Sequence, residues 1–214
     1  KNPLDEVIEP RATQEEMTNF IETELTESLK GLPTRTTQFG RFDKGLAYTI
    51  LMKYYMHEKN WAKAEECGRE LLKAEYGYGL MDRYADIFTL ENEGNKEIIF
   101  ACTEERGTNL QLWHDHALPG NYPTKNASIQ KWDGYKVPWP FYRTFEEGDD
   151  RLSVLVGEYV GTDGVLFNEE SDIAKHGNLY SGAVPVKYGE DPESTGDGSQ
   201  IDLVVYRYAD VLTL

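Results

Sequence analysis

Apolar positions in the first third of the chain recur with the period of an α-helix. Met17, Phe20, Ile21, Leu25 and Leu29 fall on one stripe. Thr13-Gln14-Glu15-Glu16 precedes them, an N-cap residue with Glu three positions later, which is the signature of a capping box. Gly31, followed by Leu32-Pro33, predicts the stop. A second helix is predicted from about Asp43 to His57, with Leu46, Ala47, Ile50, Leu51, Tyr54 and Tyr55 on its apolar face. Glu58-Lys59-Asn60 reads as a short polar turn. A third helix then starts near Trp61 and carries Ala64, Cys67, Gly68, Leu71 and Leu72. So short a turn forces the second and third helices to pack antiparallel.

Residues 13–75 thus form a helical part, and its second and third helices fit one unit of the tetratricopeptide repeat. With Gly45 as the first position, Tyr48, Leu51 and Tyr55 fill the aromatic and Leu slots, and Met52 stands where a small residue is usual. Trp61 opens the second helix of the unit and Ala64 takes its small contact position. The same spacing suits a generic helical hairpin, and the pattern alone does not separate the two.

Beyond residue 75 the pattern changes. Leu80, Tyr84, Ile87 and Phe88 predict a short helix, Glu91–Asn95 a turn, and Glu97-Ile98-Ile99-Phe100-Ala101 a buried strand. Residues 103–200 are loop-rich. No periodicity persists from Thr103 to about Arg151, and a loop of that length in a compact domain is often functional. Leu152–Tyr159, Gly161-Thr162-Asp163-Gly164 and Val165-Leu166-Phe167 predict a β-hairpin. Gly189–Gln200 reads as a polar loop. Leu203–Leu214 is strongly apolar, and strand and helix both fit it.

Composition then narrows the functional classes. Lys and Arg total 22 against 38 Asp and Glu, a net charge of −16. Nucleic acid is not an expected partner, because phosphates are met by a basic face. Aromatic residues make up 12% of the chain, too many for a disordered acidic segment, so a folded domain is expected. No apolar run approaches the roughly 18 residues of a membrane-spanning helix. The chain opens Lys1-Asn2-Pro3 without a signal peptide and closes in the apolar Val211-Leu212-Thr213-Leu214, so it reads as a piece of a longer protein. Cys67 and Cys102 belong to no CxxC pattern. One disulfide, or two free and half-buried thiols, would satisfy them, and a lone Cys usually behaves as a small hydrophobe.

The most suggestive chemistry lies in the aperiodic stretch. Trp113, Tyr122, Trp132, Tyr135, Trp139, Phe141 and Tyr142 alternate there with His114, Asp115, His116, Asn121, Asn126, Gln130 and Asp133. Sugars offer C–H faces to aromatic rings and hydroxyls to carboxylates, amides and imidazoles, so this mixture suits a carbohydrate. The same rings equally serve to pin a loop onto helices. The candidate carbohydrate-binding residues are Trp113, Trp132, Asp133, Tyr135 and Trp139.

Other patterns carry less. His114-Asp115-His116 on an extended segment would turn both imidazoles to one side as metal ligands, but no third protein ligand is identifiable, although His57 and His176 remain; polar loop residues are the plainer reading, and no metal is expected. Asp191–Asp202 has oxygen-bearing residues near calcium-loop spacing. Glu193, Gly198 and Asp202 depart from that pattern, and a flexible acidic turn is favoured. Carboxylate pairs such as Glu146-Glu147 and Asp149-Asp150 do not by themselves make a glycosidase. No GxSxG, GxxxxGK[ST] or GxGxxG motif is present, so neither a catalytic nucleophile nor a cofactor is expected.

Several segments, in order, resemble the SusD/RagB-type nutrient-binding lipoproteins of the Bacteroidetes outer membrane. They are Phe20-Ile21 through Leu25 to Leu32-Pro33, Gly40-Arg41-Phe42-Asp43-Lys44-Gly45-Leu46-Ala47, and Trp61-Ala62-Lys63-Ala64. Tyr78, Tyr84, Phe88, Glu97-Ile98-Ile99-Phe100, Asp150-Arg151-Leu152 and Lys187-Tyr188 continue the series, and Val205-Tyr206-Arg207-Tyr208-Ala209-Asp210-Val211-Leu212 closes it.

The resemblance implies a mainly α fold, with tetratricopeptide-like helix pairs, long irregular loops and a small β-hairpin. Residues 1–214 would be a single partial domain, cut at both ends and lacking the lipid-anchored Cys. It favours helix for Leu203–Leu214, makes Arg207 a structural residue held by carboxylates in the helical layer, and would leave Val204, Val211 and Leu212 exposed. It implies no catalysis, but capture of a glycan or similar nutrient at the outward face of the outer membrane and delivery to a SusC-like TonB-dependent transporter. Membrane attachment would be only through the lipid anchor. A glycan-binding role predicts exposed, coplanar rings between Trp113 and Tyr142. The alternative, a helical-repeat module binding protein or peptide without glycan affinity, predicts those rings buried. A secreted glycoside hydrolase would need an acidic pair in a cleft.

Overall fold

A computed structural model describes residues 10–173 and 177–214. The chain divides into two compact units, one built from residues up to Thr37 with Arg41–Tyr76, the other from Gln38–Gly40 with Gly77–Thr213.

The first unit is helical. In α1 (Gln14–Ser28) the capping box forms as predicted. The Thr13 hydroxyl accepts from the Glu16 amide at 3.2 Å, and the Glu16 carboxylate accepts from the Thr13 amide at 2.8 Å. The apolar stripe of α1 does not enter a core, since Met17 and Phe20 are exposed. Polar contacts hold α1 instead: Tyr54 Oη donates to Thr18 Oγ1 at 2.7 Å, and Lys63 Nζ reaches Glu22 at 3.0 Å. In α2 (Lys44–His57) the Asp43 carboxylate caps the first turn by accepting from the Leu46 amide at 3.0 Å. Lys59 takes a positive φ, Asn60 caps the next helix, and α3 (Trp61–Leu71) folds back along α2. Leu46, Ala47, Leu51, Met52 and Tyr55 of α2 are buried with Ala64, Cys67 and Leu71 of α3. A Cβ at Gly68 would stand 3.4 Å from Met52 Sδ, so the small residue sits where the two helices approach. Leu72 and Trp61 remain exposed.

The second unit joins short strands through irregular chain. The predicted strand forms as β1 (Ile98–Cys102), preceded by 3-10 turns at Tyr84–Phe88 and Leu90–Asn92. Leu80, expected on the first of these, is exposed outside it. Three short elements then follow: α4 (Trp113–Ala117), β2 (Val137–Pro138) and α5 (Trp139–Tyr142). After a 3-10 turn at Asp150–Val154 come β3 (Leu155–Val156), β4 (Glu158–Val160), β5 (Leu166–Asn168), α6 (Glu169–Ile173) and β6 (Gly182–Pro185). Last come β7 (Leu203–Arg207) and α7 (Tyr208–Thr213).

Pairing is antiparallel throughout: β1 with β7, β4 with β5, and β6 between β2 and β3. The predicted hairpin is therefore real but shorter, β4–β5, because Leu155-Val156 pairs with β6 instead. Gly182 is required in β6, since a Cβ there would lie 2.0 Å from the Val137 carbonyl oxygen.

Leu203–Leu214 is not wholly helical. Leu203–Arg207 finds the open edge of β1, and the chain turns helical only at Tyr208, whose amide donates to the Glu97 carbonyl at 2.7 Å. Val211 is buried rather than exposed, while Leu212 is exposed as expected. Arg207 is structural, but on a strand: Nη1 donates to the buried Glu97 carboxylate at 2.7 Å, and its guanidinium lies over the Tyr84 and Phe88 rings. One apolar cluster gathers Ile87, Phe88, Ile98, Ala101, Tyr188 and Ile201. Another gathers Leu118, Ile129, Trp139, Tyr159, Leu179 and Val184. Cys67 and Cys102 are both free thiols.

Candidate functional site

The segment Trp132–Tyr135 is tied to α4 by main-chain hydrogen bonds. The amides of Trp132, Asp133 and Tyr135 donate to the carbonyls of Asp115, Leu118 and His116, at 2.7, 3.0 and 2.7 Å. Asp133 adopts φ 55° and Gly134 φ 157°, and this reversal sends both flanking rings to the surface. Trp132 and Tyr135 are 44% and 46% exposed. His116 stands between them, edge-on to Trp132 with centroids 5.0 Å apart and nearly parallel to Tyr135 at 5.1 Å. The two outer rings are therefore not coplanar. Trp132, His116 and Tyr135 make one contiguous corner of rings, with the imidazole packed against both of the others. Beside it the Asp133 carboxylate accepts from the Gly134 amide at 3.0 Å and pairs with Lys136.

The other candidates separate. Trp113 is half-buried; its indole N–H donates to the Pro185 carbonyl at 2.9 Å, and its ring packs on Tyr135 and Tyr188. Trp139 lies deeper. It is buried in the apolar cluster of β6, and its indole N–H donates to the Leu179 carbonyl at 3.0 Å. Of the amides, Asn121 accepts from Tyr159 Oη and Asn178, and Asn126 donates to the carbonyls of Asp191, Pro192 and Ser194, so both tie loops together. His116 was visible only as one of several interleaved polar residues, and no spacing rule marks it as the link between two rings.

The His-Asp-His pattern does not converge. It lies on α4, not on extended chain, so His114 points inward while His116 reaches the corner. His176 lies outside the described residues, and among those described no group of three His, Cys, Asp or Glu could hold a metal ion. Asp191–Asp202 is an internal knot rather than a flexible turn. Asp191, Ser194 and Ser199 are buried, and the Asp191 carboxylate accepts from the amides of Glu193 and Gln200 at 2.8 and 3.0 Å. Asp149 is engaged by Arg151, whose hydrogen bonds hold its carboxyl down to about 2. No described helix is long and apolar enough to cross a membrane.

No protein-family model and no curated protein matches the sequence. The fold does match solved structures. A SusD superfamily protein from Parabacteroides distasonis superposes with a TM-score of 0.73 at 18% identity, over 97% of this chain and 47% of that one. Surface glycan-binding protein A from Bacteroides thetaiotaomicron, in complex with laminarihexaose, gives 0.69 at 19%, over 92% of this chain and 47% of that one. A laminarin-binding SusD-like protein gives 0.67 at 21%, over 94% and 49%. The chain thus has a SusD-type fold and spans about half the length of these neighbours.

Proposed function

We propose that this chain is part of a SusD-type surface glycan-binding protein that holds a saccharide at the Trp132–His116–Tyr135 corner without cleaving it. The observation that carries the reading is the corner itself, two large rings half-exposed yet fixed by main-chain hydrogen bonds, with an imidazole between them. A pre-set corner gains affinity because little side-chain freedom is lost on binding. The SusD-type fold and the glycans named for two neighbours support the ligand class. On this reading α2 and α3 form a tetratricopeptide-like pair. The whole protein sits by a lipid anchor on the outward face of the outer membrane and passes its cargo to a SusC-like TonB-dependent transporter.

A glycan array followed by affinity electrophoresis of the chain tests the reading. Trp132→Ala and Tyr135→Ala should each weaken binding about tenfold, equivalent to about 1.4 kcal/mol. Undiminished binding in the double variant moves the site away from the corner. No binding to any glycan leaves the peptide-binding alternative, which the exposed Met17 and Phe20 of α1 favour.

A further inference from the structure

A cavity of about 190 Å³ lies against α4, apart from the exposed corner. Trp113, Ala117, Leu118, Tyr122, Val186 and Tyr188 contribute to its wall. The Trp113 and Tyr188 rings pack on each other with centroids 5.5 Å apart. A cavity of roughly 150 Å³ accommodates benzene, so this one has room for a single six-membered ring.

The wall has little to offer a polar guest. The Trp113 indole N–H donates to the Pro185 carbonyl at 2.9 Å, and both residues belong to the lining. The Tyr188 hydroxyl accepts from the Val204 amide at 3.1 Å. His114 also lines the cavity, but both its ring nitrogens are closed off from a water-sized probe. What remains is chiefly ring faces and aliphatic side chains, with Glu190 on the side shared with a wider cleft. A buried water needs several polar partners, which such a surface does not supply, and apolar cavities stay dry. The guest that suits it is another aromatic ring, because aromatic pairs gain from edge-on and offset contacts beyond the apolar area they bury.

That cleft has a volume of about 710 Å³ and shares Gly189 and Glu190 with the cavity. Thr89, Glu91, Lys125 and Asn126 line it with polar groups. Glu190 Oε2 accepts from the Lys125 and Asn126 amides at 2.8 and 3.3 Å, which fixes the carboxylate at the junction. The side chains of Glu91 and Lys125 have no hydrogen-bond or ion-pair partner among the described residues, so they are available to hydroxyl groups. An apolar ring on one side of the junction and hydroxyls on the other is the make-up of an aryl glycoside.

We infer that the cavity binds an aromatic ring, the aglycone of an aryl glycoside whose sugar occupies the polar cleft. The sugar half of the ligand rests on the glycan reading, whereas the aromatic cavity does not. The test is NMR of the full chain titrated with phenol, phenyl β-glucoside and methyl β-glucoside. Phenol should shift the Trp113 indole N–H and the Ala117 methyl with a Kd of about 1 mM. Phenyl β-glucoside should shift both with a Kd about tenfold lower, and should move the Lys125 and Asn126 amides as well. Methyl β-glucoside should leave Trp113 and Ala117 unmoved. Val186→Phe, which fills the cavity, should weaken phenol binding about tenfold or more. Ala117→Leu serves if that variant does not fold. Silence at Trp113 and Ala117 with both aryl compounds overturns the inference, as does undiminished phenol binding in the filled variants. Methyl β-glucoside binding there as tightly as its phenyl counterpart overturns it too, and phenyl β-glucoside binding no more tightly than phenol overturns the glycoside assignment. If both aryl compounds are silent while the Trp132 indole responds to a polysaccharide, only this inference fails. If phenol binds, but phenyl β-glucoside gains nothing over it and Trp132 stays silent with polysaccharides, the glycan reading fails.

Discussion

Cys67 and Cys102 differ in reach, and that difference is directly measurable. Cys67 is buried between α2 and α3, and burial pushes its thiol up to about 11, whereas Cys102 is exposed at the end of β1. Because the thiolate is the reactive form, a disulfide-exchange reagent near pH 8 should label one thiol in the native chain and the second only after unfolding. Two fast-labelling thiols would contradict the packing of α3. Glu93 gives a pH signature. Burial, then the charge of Asp202, push its carboxyl up to about 7, against the opposing hydrogen bond from the Asp202 amide at 3.1 Å. The folded chain keeps a proton there that the unfolded chain, with a Glu pKa of about 4.3, has released. The favourable contribution is complete below that value and is lost as pH rises through about 7. Glu93→Gln should therefore flatten the melting-temperature profile between these limits, and identical profiles would reject the assignment. At this scale the sequence was least legible. Trp132 and Trp139 are chemically identical, yet one is 44% exposed and the other buried. What separates them is the turn at Asp133-Gly134 and the acceptor at Leu179, neither of which a local pattern displays.

The elements divide according to how local their causes are. The capping box at Thr13, the cap at Asp43 and the burial of Leu46, Leu51, Ala64 and Leu71 follow from 3.6-residue spacing and a few side chains, and all were legible. The three strands around β6 were not, since β2 and β3 are two residues long and take their partner from a distant segment. The end of the chain shows the same limit. Its apolar run splits into β7 and α7 because the edge of β1 is available for part of it only. Arg207 marks that boundary and anchors it. Glu97 is 97% buried at its side chain and accepts from Arg207 at 2.7 Å and from the Met81 amide at 2.8 Å. Removing one partner strands a buried charge, so Arg207→Met should cost about 3–5 kcal/mol in urea denaturation. Adding Glu97→Gln to that variant should recover part of the loss. An Arg207→Met chain as stable as wild type would show that the pair holds nothing in place.

At the scale of the whole chain, the net charge of −16 says what kind of glycan the surface can accept. Beside the exposed corner the cation of Lys136 is paired to Asp133. A cleft lined by Thr89 and Asn126 carries Glu91 and Glu190 along with Lys125. A polyuronate or sulfated polysaccharide approaching either place meets a like-charged molecule, and the summed field lowers its local concentration. A neutral polysaccharide meets no such field, and its stacking and hydrogen-bonding contacts involve no ion release. Its affinity should change by less than about twofold as sodium chloride rises from about 0.05 to about 0.5 M, a range over which the screening length falls well below about 10 Å. Isothermal titration at both salt concentrations, with one neutral and one anionic polysaccharide, provides the measurement. Binding of the anionic polymer at low salt, lost at high salt, would mean that ion pairing rather than ring stacking selects the ligand. Binding of the neutral polymer alone, at equal strength in both buffers, is what exposed aromatic rings on an acidic protein should give.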